Sequence, residues 1–269
     1  MHPVGEAVLL GTIQGLTEFL PVSSDGHLAL TEILFAVSGN RLTLNVMLHA
    51  GTLLATLLVL RARVASAVVE GVRSAIKPAR FRETPGGRDA LVVILASLPT
   101  ALIGFGLRDL VESWTESPLI VGLGFVGTAM LLISARWAPR GSDETPSVFG
   151  ALALGVAQGL AVLPSLSRSG STITLALWLG IRPERAYELS MLMSLPAVTG
   201  ALLLEAPKAL AAPSGLGTAA IGAAVAFVVG IVALAILRRV LTRGHFSLFA
   251  IWVVPVALAT LALARAWPH

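Results

Sequence analysis

The sequence predicts an all-α integral membrane protein: an inverted-topology repeat with six transmembrane helices plus two re-entrant helical hairpins. Three observations predict it: an apolar composition, six uninterrupted apolar stretches, and two similar stretches that polar residues interrupt. Of the 269 residues, 55% are hydrophobic and 13% are charged, whereas soluble domains carry about 25% charged residues. This composition excludes an ordinary soluble enzyme, a disordered protein and a nucleic-acid-binding protein. The absence of cysteine excludes disulfides and thiol catalysis.

Two apolar regions are too interrupted to be simple spans. Residues 4–35 are broken at 21–27, and residues 148–181 are broken at 164–172, in each case by a proline and a cluster of small polar and charged residues. About 10–16 apolar residues remain on either side, fewer than the roughly 20 that cross a bilayer. Half-length helices joined by a polar turn indicate hairpins that enter and leave by the same membrane face.

Six other stretches are predicted to cross the membrane, because each offers close to 20 apolar residues. In chain order they are residues 44–60, 90–107, 119–135, 189–204, 219–237 and 248–264. The loop 61–88 carries seven Arg and Lys against two Glu, so the positive-inside rule places it in the cytoplasm. Arg238, Arg239 and Arg243 fall on the same side only if 148–181 does not cross, which supports the hairpin there. Both termini are then outside.

The two interrupted regions resemble each other. LGTIQGLTEFLPVSSDG (residues 10–26) lies over LGVAQGLAVLPSLSRSG (residues 154–170), with an offset of 144 at the glutamines and 143 at the prolines. We therefore expect a single membrane domain, 1–269, built from internal repeats of about 1–140 and 147–269. Each repeat has three spans, an odd number, so the two are inverted. Inverted repeats with broken helices place a binding site near the midplane, where the breaks meet.

The break in the second repeat contains Arg168, flanked by Ser167 and Ser169 and followed by Gly170, Ser171 and Thr172. Ionisable residues at membrane depth are expensive and are by default functional. Hydroxyls, a guanidinium and the N–H groups at a helix start together suit a phosphate. The alternative is an arginine that backbone carbonyls hold in order to fix the hairpin.

The break in the first repeat carries the complementary groups. Glu18 lies four residues after Gln14, so both side chains project from one helix face and could share a divalent cation; the alternative is a paired structural carboxylate. His27 suits a general base or nucleophile, or an ordinary hydrogen-bonded loop histidine. Ser23 and Ser24 suit nucleophiles, or helix caps, which spacing alone favours.

Another histidine, His49, lies inside the 44–60 span. We expect it to be a packed or hydrogen-bonded helix residue, with a place in a cavity as the alternative. 

Two motifs carry a resemblance to a known family. QGLTEFLPVSSDGH (residues 14–27) and LPSLSRSGST (residues 163–172) are similar to the two signatures of the bacterial undecaprenyl-diphosphatase family of the bacitracin-resistance type. The similarity extends through nearly the whole chain. It implies an integral membrane phosphatase of the bacterial plasma membrane that hydrolyses undecaprenyl diphosphate to undecaprenyl phosphate and inorganic phosphate. That product is the recycled lipid carrier of cell-wall synthesis.

The resemblance also implies roles for individual residues. By position, Glu18 belongs to the acidic motif, Ser24 and His27 to the catalytic pair, and Arg168 to the diphosphate-binding loop. A divalent cation, Mg²⁺ or Ca²⁺, is expected at Glu18 and Gln14, in an active site that opens to the periplasmic side. The substrate-binding set is Gln14, Ser23, Ser167, Ser169 and Thr172.

This sequence departs from the common family pattern in three places. Gln14 stands where many members have Glu, Asp25 replaces a small hydroxyl residue, and Ser165-Leu166 stand where Gly and an aromatic or polar residue are usual. The first change removes a negative charge near the cation, and the second adds a carboxylate at the cavity mouth. The third is expected to stiffen the Arg168 loop. None of the three removes an obligatory group.

A transporter is the rival class, because secondary transporters are also built from inverted repeats with broken helices. Such a protein would flip a polyprenyl phosphate across the membrane without hydrolysis. The asymmetry of the two breaks, with Glu18 and His27 on one and Arg168 on the other, favours catalysis.

The expected partners are the polyprenyl diphosphate and membrane lipid, with no nucleic acid; a homodimer stays an open alternative to a monomer.

Overall fold

The protein is a bundle of α-helices joined by short turns. The computed structural model describes residues 2–35, 41–115, 117–211 and 215–266. Within these residues, the only β-type pairing is an isolated bridge between Asp143 and Ile181. The α-helices, numbered in chain order, are α1 (Pro3–Thr17), α2 (Ser24–Phe35), α3 (Arg41–Val59), α4 (Arg61–Ile76), α5 (Arg80–Glu83), α6 (Pro85–Thr115), α7 (Pro118–Ser134), α8 (Val148–Leu160), α9 (Arg168–Trp178), α10 (Pro183–Ala211), α11 (Leu216–Thr242) and α12 (Ala250–Ala266).

Six helical segments are long and apolar enough to cross a membrane, among the residues that the structure describes. Each contains or overlaps one of the six predicted spans. They are Leu42–Val59, Pro85–Val111, Pro118–Trp137, Pro183–Ala209, Leu216–Thr242 and Phe246–Arg265. The all-α prediction with six transmembrane helices is therefore confirmed, because apolar length is a strong signal in a bilayer.

The two interrupted regions form pairs of short helices. Helices α1 and α2 have 15 and 12 residues, and α8 and α9 have 13 and 11. At 1.5 Å per residue none exceeds about 23 Å, less than the hydrocarbon core of about 30 Å. A turn at 18–23 joins the first pair, and a turn at 161–167 joins the second. The breaks lie where the sequence places them, and the re-entrant path through a bilayer stays a prediction.

The basic segment 61–88 is more ordered than the loop that its charge suggests. Helix α4 occupies its first 16 residues, and α5 follows after a turn. Ala, Val and Arg fill α4, and its amphipathic pattern lets it pack on the beginning of α6, where Gly86 lies against Ser66. The charge of this segment predicts only its side of the membrane; the amphipathic pattern of residues 61–76 is the signal that indicates the helix.

The short helices pack on partners from the opposite half of the chain. Helix α1 lies along α11, and α8, its counterpart in the second predicted repeat, lies along α6. The contacts are close enough to require glycine: a Cβ at Gly11 would lie 2.5 Å from the carbonyl oxygen of Gly222, and a Cβ at Gly155 would lie 2.2 Å from that of Ala96. Small residues permit such backbone contact in membranes. Each short helix thus packs on a long helix of the other half of the chain, as two intertwined repeats would. The boundaries of the repeats stay a prediction.

Helices α6 and α10 run parallel and are joined at their N-terminal ends by buried ion pairs. The guanidinium of Arg185 on α10 contacts the carboxylate of Asp89 on α6 and that of Glu188. Arg63 of α4 adds a contact of 2.7 Å to Glu188 and one of 3.5 Å to Asp89. Asp89 is fully buried and Arg185 is 2% exposed. The two helices are thus fastened at one end, whereas their C-terminal halves line a cavity.

This buried ion cluster yields a prediction about stability. Asp89→Ala leaves Arg185 without its fully buried partner, and breaking a buried ion pair from one side costs about 3–5 kcal/mol. We expect a Tm in detergent that is lower by several degrees. Glu184→Gln is the matched control, because Glu184 is 40% exposed and lies 3.7 Å from Arg182, and exposed pairs contribute about 1 kcal/mol or less. Equal Tm values for the two variants would contradict a stabilising role for the cluster.

Candidate active site

An ion pair joins the two polar turns. Nη2 of Arg168, at the start of α9, lies 2.6 Å from Oε1 of Glu18, at the end of α1. The residues are 150 positions apart in sequence. Glu18 is 9% exposed, and a charge at such a depth requires a partner of opposite sign. The breaks of the two interrupted regions therefore meet at one place.

The carboxylate of Glu18 is the centre of this cluster. Its Oε2 accepts hydrogen bonds from Nε2 of Gln14 at 3.1 Å and from Oγ of Ser24 at 2.9 Å. Nε2 of His49 lies 3.8 Å from the same oxygen. Glu18 follows Gln14 by one helical turn, which places the two side chains together. The serine hydroxyl donates and the carboxylate accepts, an arrangement suited to activating the hydroxyl as a nucleophile.

The turn before α2 directs Ser24 back towards Glu18. Ser23 has a positive φ of 72°, a left-handed conformation that reverses the chain within one residue. Its hydroxyl accepts a hydrogen bond from the backbone N–H of Gly26 at 3.4 Å. Ser23 therefore caps α2, as the spacing predicts. Ser24 is not a cap, because its hydroxyl donates to Glu18.

The Arg168 turn is fastened to α7. The hydroxyl of Thr128 donates to the carbonyl of Ser165 at 2.8 Å and accepts from the backbone N–H of Ser167 at 2.9 Å. Oγ of Ser167 accepts from the N–H of Gly170 at 3.0 Å and caps α9. These bonds fix the start of α9, from which Arg168 projects to Glu18. The position of the guanidinium is therefore set by backbone hydrogen bonds.

The cluster opens into a cavity of about 590 Å³. It runs between the C-terminal halves of α6 and α10, from Ser97 to Arg108 on one side and from Pro196 to Glu205 on the other. At 1.5 Å per residue the α6 wall is about 17 Å long. Much of the wall is apolar, and one polar cluster surrounds the ion pair: Glu18, Ser24, Asp25, Asn45, His49 and Arg168. Arg108, Gln158 and Glu205 are further polar residues of the wall. A polar end and an apolar channel suit a ligand with a charged head and a hydrocarbon tail.

Not every predicted site residue lines this cavity. Glu18, Ser23, Ser24, Ser167 and Arg168 do. The remaining four lie behind or beside it: Gln14, His27, Ser169 and Thr172.

Each of these four has contacts that explain its position. Gln14 is completely buried behind Glu18. The hydroxyl of Ser169 lies 3.3 Å from that of Ser167. That of Thr172 bonds to the carbonyl of Arg168 at 2.8 Å and lies 2.7 Å from the hydroxyl of Ser190. Ser169 and Thr172 therefore support the Arg168 turn from behind, and direct contact with a substrate stays a prediction for them.

His27 lies apart from Ser24 and the cavity. Its Nδ1 lies 2.7 Å from the carbonyl oxygen of Ser23, and its Nε2 accepts a hydrogen bond of 2.9 Å from the indole N–H of Trp252. Both ring nitrogens are thus engaged, so the predicted Ser24–His27 pair is not formed. The histidine that faces Glu18 is His49. A polar pair at i and i+4 in an apolar helix, Asn45 and His49, was the signal in the sequence.

Several polar atoms of the cluster are buried without a hydrogen-bond partner. They are Nη1 of Arg168, Oε1 of Gln14 and Oδ1 of Asn45. Unsatisfied buried groups cost free energy, so each one indicates a missing partner. A guanidinium N–H calls for an anion, and amide oxygens call for a cation or a donor. No group of three His, Cys, Asp or Glu within the described residues forms a ready-made metal site.

Comparison with known proteins decides the family. The model of the family described as "Bacitracin resistance protein BacA" matches residues 7–259 of the chain. The chain belongs to the BacA family. The match covers both turns, five of the six long apolar helical segments in full and most of the sixth, Phe246–Arg265.

Curated relatives extend this result. A protein of Korarchaeum cryptofilum is 36% identical over 267 residues, covering 97% of this chain and 99% of its own length. One from Desulfosudis oleivorans is 40% identical over 265 residues, covering 93% and 94%. One from Desulforapulum autotrophicum is 38% identical over 261 residues, covering 93% and 95%. Each of these three relatives bears the name "Undecaprenyl-diphosphatase".

The unusual Ser165 yields a testable consequence. It has a positive φ of 61° and a buried hydroxyl without a hydrogen-bond partner. A non-glycine residue in the left-handed region costs about 1–2 kcal/mol, so Ser165→Gly is expected to raise the Tm by a few degrees. Ser165→Ala is the matched control, since it removes the hydroxyl and keeps the strained backbone. A lower Tm for Ser165→Gly than for Ser165→Ala would contradict this account of the turn.

Proposed function

We propose that the protein is a membrane phosphatase that hydrolyses undecaprenyl diphosphate to undecaprenyl phosphate and inorganic phosphate. The observation that carries the proposal is the arrangement at the inner end of the cavity. A buried arginine N–H without a partner and a serine hydroxyl bonded to a carboxylate border one space. The BacA family and the name of the relatives give the substrate. The product would return to cell-wall synthesis as the lipid carrier.

Binding of the diphosphate would rest on the second turn. Arg168 borders the cavity, and its buried Nη1, which lacks a hydrogen-bond partner, would donate to a phosphate oxygen once the guanidinium turns towards the ligand. The first N–H groups of α9 add the positive end of a helix dipole. Charge that develops on the phosphoryl oxygens in the transition state would meet donors already in place. Arg168 would thereby both bind the substrate and stabilise the reaction.

The first turn would supply the nucleophile. The hydroxyl of Ser24 already donates to Glu18, so the carboxylate can take that proton as Oγ attacks the terminal phosphorus. The bond to the bridging oxygen breaks, and its electron pair leaves with undecaprenyl phosphate. Glu18 then passes that proton to the departing undecaprenyl phosphate and is a carboxylate again. It takes a proton from a water molecule whose oxygen attacks the phosphorus; the P–Oγ bond breaks, phosphate leaves, and the proton returns from Glu18 to Oγ of Ser24. Attack by water in the first step is the alternative.

A divalent cation, Mg²⁺ or Ca²⁺, belongs to the proposal. Its chemistry would be to neutralise phosphate charge. Oxygen donors suit such a cation, and Mg²⁺ sites commonly use one or two carboxylates together with substrate phosphates. Glu18, Asp25 and Asn45 border the cavity, and the buried amide oxygen of Asn45 has no hydrogen-bond partner. Gln14, whose Oε1 is also unpartnered, would support Glu18 from behind.

The prenyl tail would lie between the C-terminal halves of α6 and α10, along the apolar residues of the wall such as Phe105 and Leu202. Orientation follows from charge. The basic helices α4 and α5 pack at the beginning of α6, the end remote from the cavity mouth. By the positive-inside rule, the site then opens to the periplasmic side of the plasma membrane.

A homodimer stays a prediction. A flippase without hydrolysis has less support, because transport alone gives no reason for a Ser24–Glu18 pair.

The activity is tested by phosphate release from a polyprenyl diphosphate by the purified protein in detergent. We expect release that EDTA abolishes and that added Mg²⁺ or Ca²⁺ restores. Arg168→Ala and Glu18→Gln should each lower kcat/KM at least about 100-fold, since each removes a charged group from the transition state. Arg182→Ala is the matched arginine control, because Arg182 pairs with Glu144 in an exposed site. Near-normal turnover by Arg168→Ala would refute this site.

The nucleophile is tested by trapping the phosphoenzyme. Substrate labelled in its terminal phosphate is mixed with the protein and quenched with acid, and labelled peptides are mapped. We expect label on the peptide that contains Ser24, its loss in Ser24→Ala and its retention in Ser23→Ala. Turnover without any trapped label would favour direct attack by water.

A further inference from the structure

His27 and His49 lie in different environments, and these environments suit different roles. We propose that His49 is the histidine that contacts the substrate's diphosphate, while His27 is a positioning residue that holds the turn of Ser24. This inference rests on the proposed phosphatase activity and names two further groups of its site. Neither task follows from the sequence motifs, which contain His27 and leave His49 out.

His27 has no nitrogen free for a reacting proton. Its Nε2 accepts the indole N–H of Trp252, so Nδ1 carries the ring hydrogen and donates it to the carbonyl of Ser23. The ring also stacks on Trp252, with centroids 6.2 Å apart, and meets Phe125 edge-on at 5.2 Å. Trp252 is 57% exposed on the outer surface of the bundle. The imidazole therefore faces away from the cavity.

The bond from His27 has a structural consequence at the nucleophile. Ser23 holds the positive φ that turns the chain towards Glu18, and strained backbone persists only where neighbouring contacts determine it. The carbonyl of Ser23 receives the side-chain hydrogen of His27 at 2.7 Å. Loss of that donor would let the turn relax and move Ser24 from Glu18. His27 would thus affect the reaction through Ser24 without touching the substrate.

His49 has the complementary geometry. Its Nδ1 lies 2.9 Å from the carbonyl oxygen of Asn45, and a carbonyl only accepts, so Nδ1 carries a hydrogen. Its Nε2 points to Glu18 across 3.8 Å, too far for a hydrogen bond. The side chain is 27% exposed and borders the cavity. A backbone carbonyl on one nitrogen fixes a histidine ring for work at the other nitrogen.

The residues that border the cavity indicate that His49 would contact a diphosphate bound to Arg168. Nη1 of Arg168 has no partner, and neither does Oδ1 of Asn45, one turn before His49 on α3. Both residues and His49 border the same inner end of the cavity. A diphosphate bound to Arg168 there comes within reach of Nε2 of His49. The contact is a hydrogen bond in which Nε2–H donates to a phosphate oxygen, so both ring nitrogens carry a hydrogen when the diphosphate is bound.

The experiment compares substitutions that keep or remove one hydrogen-bonding group. For His49, Gln places an amide nitrogen near the position of Nε2, and Ala removes it. For His27, Asn places an amide N–H near the position of Nδ1, and Ala removes it. His245→Ala is the control, because His245 is an exposed histidine remote from the cavity. Two readouts are measured: the Kd of a non-hydrolysable methylenediphosphonate analogue of farnesyl diphosphate, and kcat on the diphosphate itself.

We expect His49→Ala to weaken analogue binding about 10- to 100-fold, the range for a lost hydrogen bond to a charged group, and His49→Gln to recover most of it. His27→Ala should lower kcat with analogue Kd within about twofold of the parent, and His27→Asn should recover most of the lost kcat. Unchanged analogue binding in His49→Ala would overturn the inference, as would a His27→Asn protein no more active than His27→Ala. Absence of turnover in the parent protein would refute the proposed function instead, and the analogue Kd values would still decide the role of His49.

Discussion

The ion pair between Glu18 and Arg168 is the constraint on which the site depends. Two opposite charges lie 2.6 Å apart in the interior of a bundle whose long helices are apolar. Either charge alone would be very costly there, and together they are tolerated because hydrogen bonds satisfy the remaining lone pairs. The bonds from Gln14 and Ser24 to Glu18 do this, and Thr128 fixes the turn that brings Arg168 near.

This pair also explains why the two halves of the chain have diverged at one point. A carboxylate on both turns would repel, and a guanidinium on both would do the same. The place near Glu18 in the second turn is filled by Val162, and no arginine occurs between Gln14 and His27. At the ion pair one turn thus supplies the negative charge and the other the positive charge, whereas glycine contacts of the same kind fasten α1 and α8 to their partners. The predicted repeats therefore share their packing and differ in the charges of their turns.

The sequence predicts the spans and the breaks, and it identifies Glu18 and Arg168 as functional charges, for a physical reason; that the two form an ion pair is a structural finding. Apolar length and isolated charges are local signals, and a bilayer makes both decisive. The sequence does not show which groups a side chain faces once the helices have packed together. His27 follows the polar turn directly, yet the packing of α12 provides Trp252 as its partner. His49 lies in an apolar span, and only its position on α3 relative to Glu18 shows that it borders the cavity.

The exchange of helix partners has a consequence for biosynthesis. Helix α1 is among the first segments to enter the membrane, but α11, on which it packs, begins at Leu216. At 5–20 residues per second, roughly 10–40 s of translation separate the two. During this interval the backbone at Gly11 and the carboxylate of Glu18 lack their final neighbours. The first pair of short helices therefore completes its packing only after the second half of the chain has been synthesised.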